Sequence, residues 1–329
     1  MTGTILPAPA VPGAATRNAT IYHDEHFRDR AAMLAMRAMI ALQPAADLSP
    51  SGRPAFDELM SKTPAAEGVA YESANVGGVP GWWCRPNGAV PDAAILYVHG
   101  GAYVVGSAQA YRNFVGQIAV RANAPIFVAD YGLAPEHVFP SAIEGLDAVY
   151  HALSDAGFAK LALAGDSAGG GLALVMATLL THSAKNGSAV APVAVVAMSP
   201  WTDLALTGQS LTTRASSDPV LTRSALDSAR QSYLGQTDPK DQRASPLYGA
   251  VEGLPPVLLH VGEDEILLDD ACRFAEHLKR AGTPYELHVW KGMVHVFPAN
   301  LALLQAAREA LDEIGQFLRR HFMELEMPQ

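Results

Sequence analysis

Two cysteines, Cys84 and Cys272, are all that the 329 residues contain, too few for a disulfide framework or a zinc ribbon. Positive charge is also scarce: 23 Lys and Arg stand against 33 Asp and Glu, a net charge of −10. Affinity for a phosphate backbone rests on clustered Lys and Arg, so no nucleic-acid partner is expected. Long apolar runs are missing as well. None reaches the ~18 residues of a membrane helix, and the longest candidate, 169–180, stops at Thr181 and His182. No membrane partner is therefore expected. The first positive charge is Arg17, and Pro7, Pro9 and Pro12 break the 5–15 stretch. No signal peptide is read there, and a cytoplasmic protein is the default expectation.

What is present is apolar: 49% of residues, with only 17% charged, enough for a sizeable core. From about residue 71, short apolar runs at 93–98, 125–129, 160–164, 193–198, 256–261 and 285–290 alternate with helical patterns. The helices fall at 111–122, 141–156, 167–184, 269–281 and 300–321. Nearly all-apolar strands separated by helices predict an α/β fold, a mostly parallel, doubly wound sheet covered on both faces. Such sheets carry their working residues in loops at the carboxyl ends of the strands. Those loops are 99–102, 165–169, 199–203, 262–270 and 292–297. Two regions break the alternation. Residues 1–60 hold a helix near 24–42, with apolar positions Phe27, Ala31, Leu34 and Ala38 and extra methionines at 33, 36 and 39. Residues 204–245 hold a helix near 222–234. These two regions are expected to form a helical cap over a catalytic core of residues 61–203 and 246–329.

Gly165-Asp166-Ser167-Ala168-Gly169 fits the nucleophile-elbow pattern Gly-x-Ser-x-Gly. The pattern alone is weak; its place between a strand and an apolar helix gives it weight. A chain turning that sharply crowds its neighbours, so the flanking glycines supply missing side chains. Ser167 would stand at a helix N-terminus, where the dipole favours developing negative charge. Serine attacks only when a base takes its proton, usually an imidazole held by a carboxylate. Elbow hydrolases order these along the chain as Ser, acid, His.

Five of the eleven histidines lie in the last quarter, and only His295 falls in a loop after the final strand. His260 and His288 sit within strands; His277 and His321 lie on helices. The acid belongs to 262–270. Asp269 and Asp270 suit the start of the next helix, which leaves Asp264 and Glu265 open. Small residues after the 93–98 strand, in His99-Gly100-Gly101-Ala102, allow a backbone close to substrate. The oxyanion donors are assigned to the N–H groups of Gly101, Ala102 and Ala168, and His99 to anchoring the loop. Tyr22, Phe27, Tyr103, Trp201 and Phe297 are candidates either for the pocket wall or for cap and core packing.

Across residues 70–322 the chain resembles the hormone-sensitive-lipase-like (bacterial family IV) esterases of the α/β-hydrolase fold. The resemblance is carried by His99-Gly100-Gly101-Ala102, Asp130-Tyr131-Gly132-Leu133-Ala134-Pro135-Glu136, Gly165-Asp166-Ser167-Ala168-Gly169-Gly170, Ser199-Pro200-Trp201-Thr202-Asp203-Leu204 and Gly292-Met293-Val294-His295. It implies a serine carboxylesterase that acts on short-acyl, small-molecule esters without a cofactor or metal, and a possible homodimer. Aligning Leu267, Asp269 and Asp270 on the group's acid motif favours Glu265 over Asp264. Two departures stand out. Ala102 replaces a third glycine, narrowing the pocket and opposing a positive φ, and Gly132 replaces an arginine that would offer an ion pair.

The 76–81 stretch, Val-Gly-Gly-Val-Pro-Gly, and residues 265–270 also look like a lactone-hydrolysing branch. Receptors resembling these esterases typically lose the histidine at the position of His295, which this chain keeps.

Overall fold

The computed structural model describes residues 18–42 and 46–323; the proline-broken 5–15 stretch lies outside them. The first half of the chain forms β1 (Ala19–His23), α1 (Phe27–Ala41), α2 (Arg53–Ser61), β2 (Val69–Val76), β3 (Val79–Pro86), β4 (Ala93–Val98), α3 (Ala108–Ala122), β5 (Ile126–Ala129) and α4 (Ser141–Asp155). The second half adds β6 (Lys160–Asp166), α5 (Ser167–Lys185), β7 (Val195–Met198), α6 (Ser210–Thr213), α7 (Arg223–Leu234), β8 (Val257–Gly262), α8 (Leu268–Ala281), β9 (Tyr285–Trp290) and α9 (Gln305–Met323). One sheet runs β1-β9-β8-β7-β6-β4-β5-β3-β2. It is parallel except where β3 pairs with β2 and β5.

The six inner strands, β4 to β9, lie where the apolar runs place them. Alternation sorts their side chains onto two faces. Ala94, Leu96 and Val98 join the layer that contains Leu146, Leu172 and Phe274; Ala93, Ile95 and Tyr97 join Phe114, Ile118, Ile314 and Phe317. Helices α4, α5 and α8 thus cover one face, and α3 and α9 the other.

Three strands lie outside the sequence expectation, β1, β2 and β3, all before β4. β2 and β3 form a hairpin whose central residues, Gly77 and Gly78, have φ of +59° and +83°. A two-residue turn of that twist needs positive φ twice, which explains the paired glycines. The turn accounts for Gly77 and Gly78 of the 76–81 stretch; Gly81 lies on β3, where a Cβ would overlap the Val128 carbonyl. β1 pairs in parallel with β9, so the 1–60 region is not wholly cap: part of it is sheet edge. α2 packs on α3, with the Phe56 and Tyr111 rings 6.4 Å apart.

Helix α1 turns over the face expected to be apolar. Phe27, Ala31, Leu34 and Ala38 are exposed, and the inward row is Asp29, Met33, Met36, Arg37 and Ile40. Both rows have helical spacing, and the inward one carries polar side chains with partners on the body of the protein. Asp29 accepts from the backbone N–H groups of Gln305 and Ala306, satisfying donors at the start of α9.

The strand order also fixes where chemistry can sit. β4 lies between β5 and β6, so the connections leaving β4 and β6 run in opposite directions and open a crevice at their carboxyl ends. Val98 pairs with Gly165, which sets the two strand ends level.

Candidate active site

Ser167 stands on that crevice with φ of +54°, a left-handed conformation that costs a non-glycine residue roughly 1–2 kcal/mol. The turn is held from both sides. A Cβ on Gly165 would overlap the carbonyls of Gly169 and Val98, and one on Gly169 those of Val98 and His99. Both glycines are required because β4 passes directly beneath the elbow. The Ser167 carbonyl accepts from Trp201 N–H at 3.0 Å.

Asp166, between Gly165 and Ser167, locks the neighbouring loop. Its carboxylate accepts from the Tyr97 hydroxyl (2.8 Å), the Tyr111 hydroxyl (3.0 Å) and Gly100 N–H (3.1 Å). Burial pushes its pKa up, and these donors hold it partly in check. His99 is fully buried; its Nδ1 donates to the Gly100 carbonyl at 2.7 Å, and its ring lies 4.6 Å from that of Tyr131. Tyr131 in turn donates to the His99 carbonyl.

Gly101, Ala102 and Tyr103 follow with φ of +116°, +52° and +66°. The methyl group of Ala102 was expected to oppose a positive φ, yet the residue adopts one. The loop is fixed on both flanks, by Asp166 before it and by Val104 and Val105 N–H groups returning to the Gly101 carbonyl after it. Among the described residues, the N–H groups of Gly101 and Ala102 have no hydrogen-bond acceptor. Ala168 lies in the first turn of α5, where N–H groups lack intrahelical partners.

His295 Nε2 lies 2.9 Å from Ser167 Oγ, and its Nδ1 lies 2.7 Å from Glu265 Oε2. All three residues are buried. Burial disfavours the charged ring, but the hydrogen bond and charge of Glu265, with Asp218 and Asp166 adding, hold the His295 pKa above the ordinary histidine value. Asp264 points elsewhere, its carboxylate 2.7 Å from Arg37 Nη2. The choice between the two acids, open on the residues alone, falls to Glu265 in space. Glu265 Oε1 accepts from the Ser199 hydroxyl at 2.8 Å and from Gly262 N–H at 2.7 Å. A serine, an imidazole and a carboxylate thus form one hydrogen-bonded chain across three strand ends, with backbone amides beside the serine.

A family model described as alpha/beta hydrolase fold matches residues 95–299. An esterase of the bacterial hormone-sensitive lipase family superposes with a TM-score of 0.83 at 35% identity, covering 90% of this chain and 99% of that one. The chain belongs to the hormone-sensitive-lipase-like esterases of the α/β-hydrolase fold. It is a carboxylic ester hydrolase. An acetyl-hydrolase of Streptomyces hygroscopicus is 38% identical over 240 residues, 72% of this chain and 78% of its own. An esterase of Acinetobacter venetianus is 33% identical over 286 residues, 86% and 93% of the two chains.

Gly132, where the resemblance implies an arginine, has a structural account. A Cβ there would press on His137 and Ser141. Glu136 instead takes Arg53 of α2, with contacts of 2.6 and 2.9 Å, and the same guanidinium donates to the carbonyls of Val104 and Ala134.

Sequence reasoning gave no role at this site to four further residues. Ser199, φ +47°, donates to Glu265 and accepts from Val296 N–H at 3.0 Å, tying the acid loop to the histidine loop. Asp218, from the 204–245 excursion, accepts from Ile266 N–H. Arg37 of α1 donates to the Ser217 carbonyl as well as to Asp264. Asp270 accepts from Thr202 and Asp203 N–H groups, and burial, with the Asp203 charge adding, pushes its pKa up to about 8. Ser199 left a signal as the first residue of a family motif at a strand end, and Asp270 as part of the acid motif; Asp218 and Arg37 left none. The pocket candidates divide. Tyr22 and Phe27 face solvent, whereas Tyr103, Trp201 and Phe297 are buried; Tyr103 stacks on Tyr233 at 3.9 Å.

Among the described residues, no helix is long and apolar enough to cross a membrane.

Proposed function

We propose that the protein is a serine carboxylesterase hydrolysing small, short-acyl esters through an acyl-enzyme intermediate. The hydrogen-bonded chain from Ser167 through His295 to Glu265 carries this reading. Ser167 Oγ attacks the ester carbonyl carbon while neutral His295 takes its proton at Nε2. Glu265 holds the ring with its proton on Nδ1 and stabilises the imidazolium that forms. The tetrahedral oxyanion is received by the N–H groups of Gly101, Ala102 and Ala168. Each such donor is worth about 2.7–4 kcal/mol in the transition state. His295 then returns its proton to the leaving alcohol. In the second half of the cycle it activates water against the acyl-enzyme, and no cofactor or metal is needed.

Short acyl groups are supported by the relatives, which include the Streptomyces acetyl-hydrolase and an ethyl acetate hydrolase of Pseudomonas putida. We assign the cap to α1 and the 204–245 excursion, with Arg37 joining them to each other and to the acid loop.

The test is hydrolysis of p-nitrophenyl acetate, butyrate, octanoate and laurate by wild type and Ser167→Ala, with a lactone series alongside. Fast short-ester turnover lost in the variant supports the reading. Faster turnover of lactones would make the protein a lactonase with the same residues. Equal, slow hydrolysis by both proteins would overturn the catalytic role and favour ligand binding.

A further inference from the structure

On the far side of the sheet, β8, β9 and β1 bring three histidines together beneath α9. His260 pairs in register with His288 across β8 and β9, and β1 lays Ile21 beside His288 and His23 beside Trp290. Glu313 of α9 reaches into the same space. His23 Nε2 and His288 Nδ1 are 2.9 Å apart, His288 Nδ1 and Glu313 Oε2 are 2.8 Å apart, and His23 Nε2 and Glu313 Oε1 are 3.9 Å apart. Three lone-pair-bearing atoms from three elements therefore converge within 4.8 Å of one another. Donors on one tetrahedral zinc ion lie roughly 3.3 Å apart, given Zn–N and Zn–O distances near 2.0–2.1 Å.

The surroundings are organised as a metal's outer shell would be. Trp290 Nε1 can only donate, and it donates to His260 Nδ1 at 3.0 Å. The proton of neutral His260 is thus on Nε2. That Nε2–H is fully buried, has no hydrogen-bond partner among the described residues and lies 4.0 Å from Glu313 Oε2, aimed into the cluster. A small movement of the carboxylate would let it accept. On the other flank, His288 Nε2, which has no hydrogen-bond partner among the described residues, lies 3.7 Å from Glu286 Oε2, and Glu286 is held by Arg320 at 3.1 Å. Ligating histidines commonly donate their second ring N–H to a carboxylate, and a small movement of Glu286 would let it accept from His288. The His23 ring is fixed by stacking on Trp290 at 3.6 Å, with planes 2° apart. His23 and Glu313 are partly exposed, which leaves an entry path.

We propose that His23 Nε2, His288 Nδ1 and the Glu313 carboxylate form a binding site for a divalent transition-metal ion, Zn²⁺ or one of its neighbours. Two imidazoles and one carboxylate suit such ions, and the fourth position would take water. The site is separate from the esterase centre, across the sheet from Ser167. Its ligands come from β1, β9 and α9, so the ion would pin the strand leading into α1 to the body of the fold.

The experiment uses the full chain freed of metal by chelator and dialysis, then titrated with Co²⁺ and with Zn²⁺. The expected result is one Co²⁺ per chain with a visible ligand-field band, displaced by one equivalent of Zn²⁺, and a Tm that rises with free Zn²⁺. His23→Gln and Glu313→Gln should each weaken binding by more than about a hundredfold, and Glu286→Gln by roughly ten- to a hundredfold. Hydrolysis of p-nitrophenyl butyrate by the metal-free variants should match wild type, showing that they are folded. No stoichiometric binding by wild type would overturn the proposal. So would binding that survives in both His23→Gln and Glu313→Gln. Either result would leave the cluster as histidines sharing protons with two carboxylates.

Discussion

Glu265→Gln is the sharpest test of the proposed mechanism, because the structure dictates how the amide must sit. Glu265 Oε1 accepts from two donors, Gly262 N–H and the Ser199 hydroxyl. The backbone N–H can only donate, so the glutamine oxygen must take the Oε1 position and its NH₂ group the Oε2 position, 2.7 Å from His295 Nδ1. Nδ1 must then accept, which moves the ring proton to Nε2, facing Ser167. An imidazole in that tautomer cannot take the serine proton. Changes of this kind in serine hydrolases cost about 10⁴-fold in kcat, or about 5 kcal/mol at 1.36 kcal/mol per tenfold. Glu265→Asp keeps the charge but retracts the carboxylate by one methylene, and should cost about a hundredfold. Asp264→Asn should remain near wild type, since Asp264 pairs with Arg37 rather than His295. Hydrolysis of p-nitrophenyl butyrate, with Tm measured in parallel, decides the matter. A folded Glu265→Gln enzyme retaining more than about a tenth of wild-type kcat would refute the tautomer argument, as would an equal loss in Asp264→Asn.

Other consequences are as direct. The His295 pKa is raised mainly through Glu265, and catalysis needs the neutral ring; activity should therefore fall on acidification with a midpoint above the ordinary ~6.5. A kcat/KM profile flat from pH 8 down to pH 5 would contradict this. Ser199→Ala removes the link between the Glu265 and His295 loops and should lower kcat about ten- to a hundredfold with little change in KM; steady-state kinetics would show an unchanged kcat if the link were idle. Gly169→Ala drives a methyl group into the β4 backbone carbonyls, and thermal unfolding should reveal a loss above about 3 kcal/mol, beyond ordinary overpacking. Arg37→Ala frees α1 from Ser217 and Asp264; the expected signature is a severalfold rise in KM with Tm nearly unchanged.

Local sequence was sufficient wherever a residue's role follows from its own chain neighbours. An apolar run between helices marks a buried parallel strand, and the elbow declares itself because Gly165 and Gly169 are the only kind of residue that fits against β4. Ser167 and His295 could be placed by strand order, since each follows a recognisable strand. The N-terminal quarter was opaque for the opposite reason. β1 is an exposed edge strand stabilised by β9, over two hundred residues away in the chain, and its five residues carry no burial pattern of their own. Helix α1 offered two rows of equal helical spacing, and the inward one was selected by distant acceptors and donors: Gln305 and Ala306 for Asp29, Ser217 and Asp264 for Arg37.

The same division holds within the site and beyond it. Sequence determined that a serine, a histidine and one of two adjacent acids would meet at the strand ends. Only the tertiary structure decided that Glu265 turns inward while Asp264 turns to Arg37, because adjacent residues in a loop point in different directions according to what surrounds them. It also decided that Ala102 adopts a positive φ, which its flanking contacts impose against its own preference. His23, His288 and Glu313 read as unrelated residues along the chain; parallel pairing of β1 with β9 under α9 makes them one cluster. Sequence patterns report preferences over a few residues, whereas hydrogen bonds and ligand geometry depend on which distant elements the fold sets side by side.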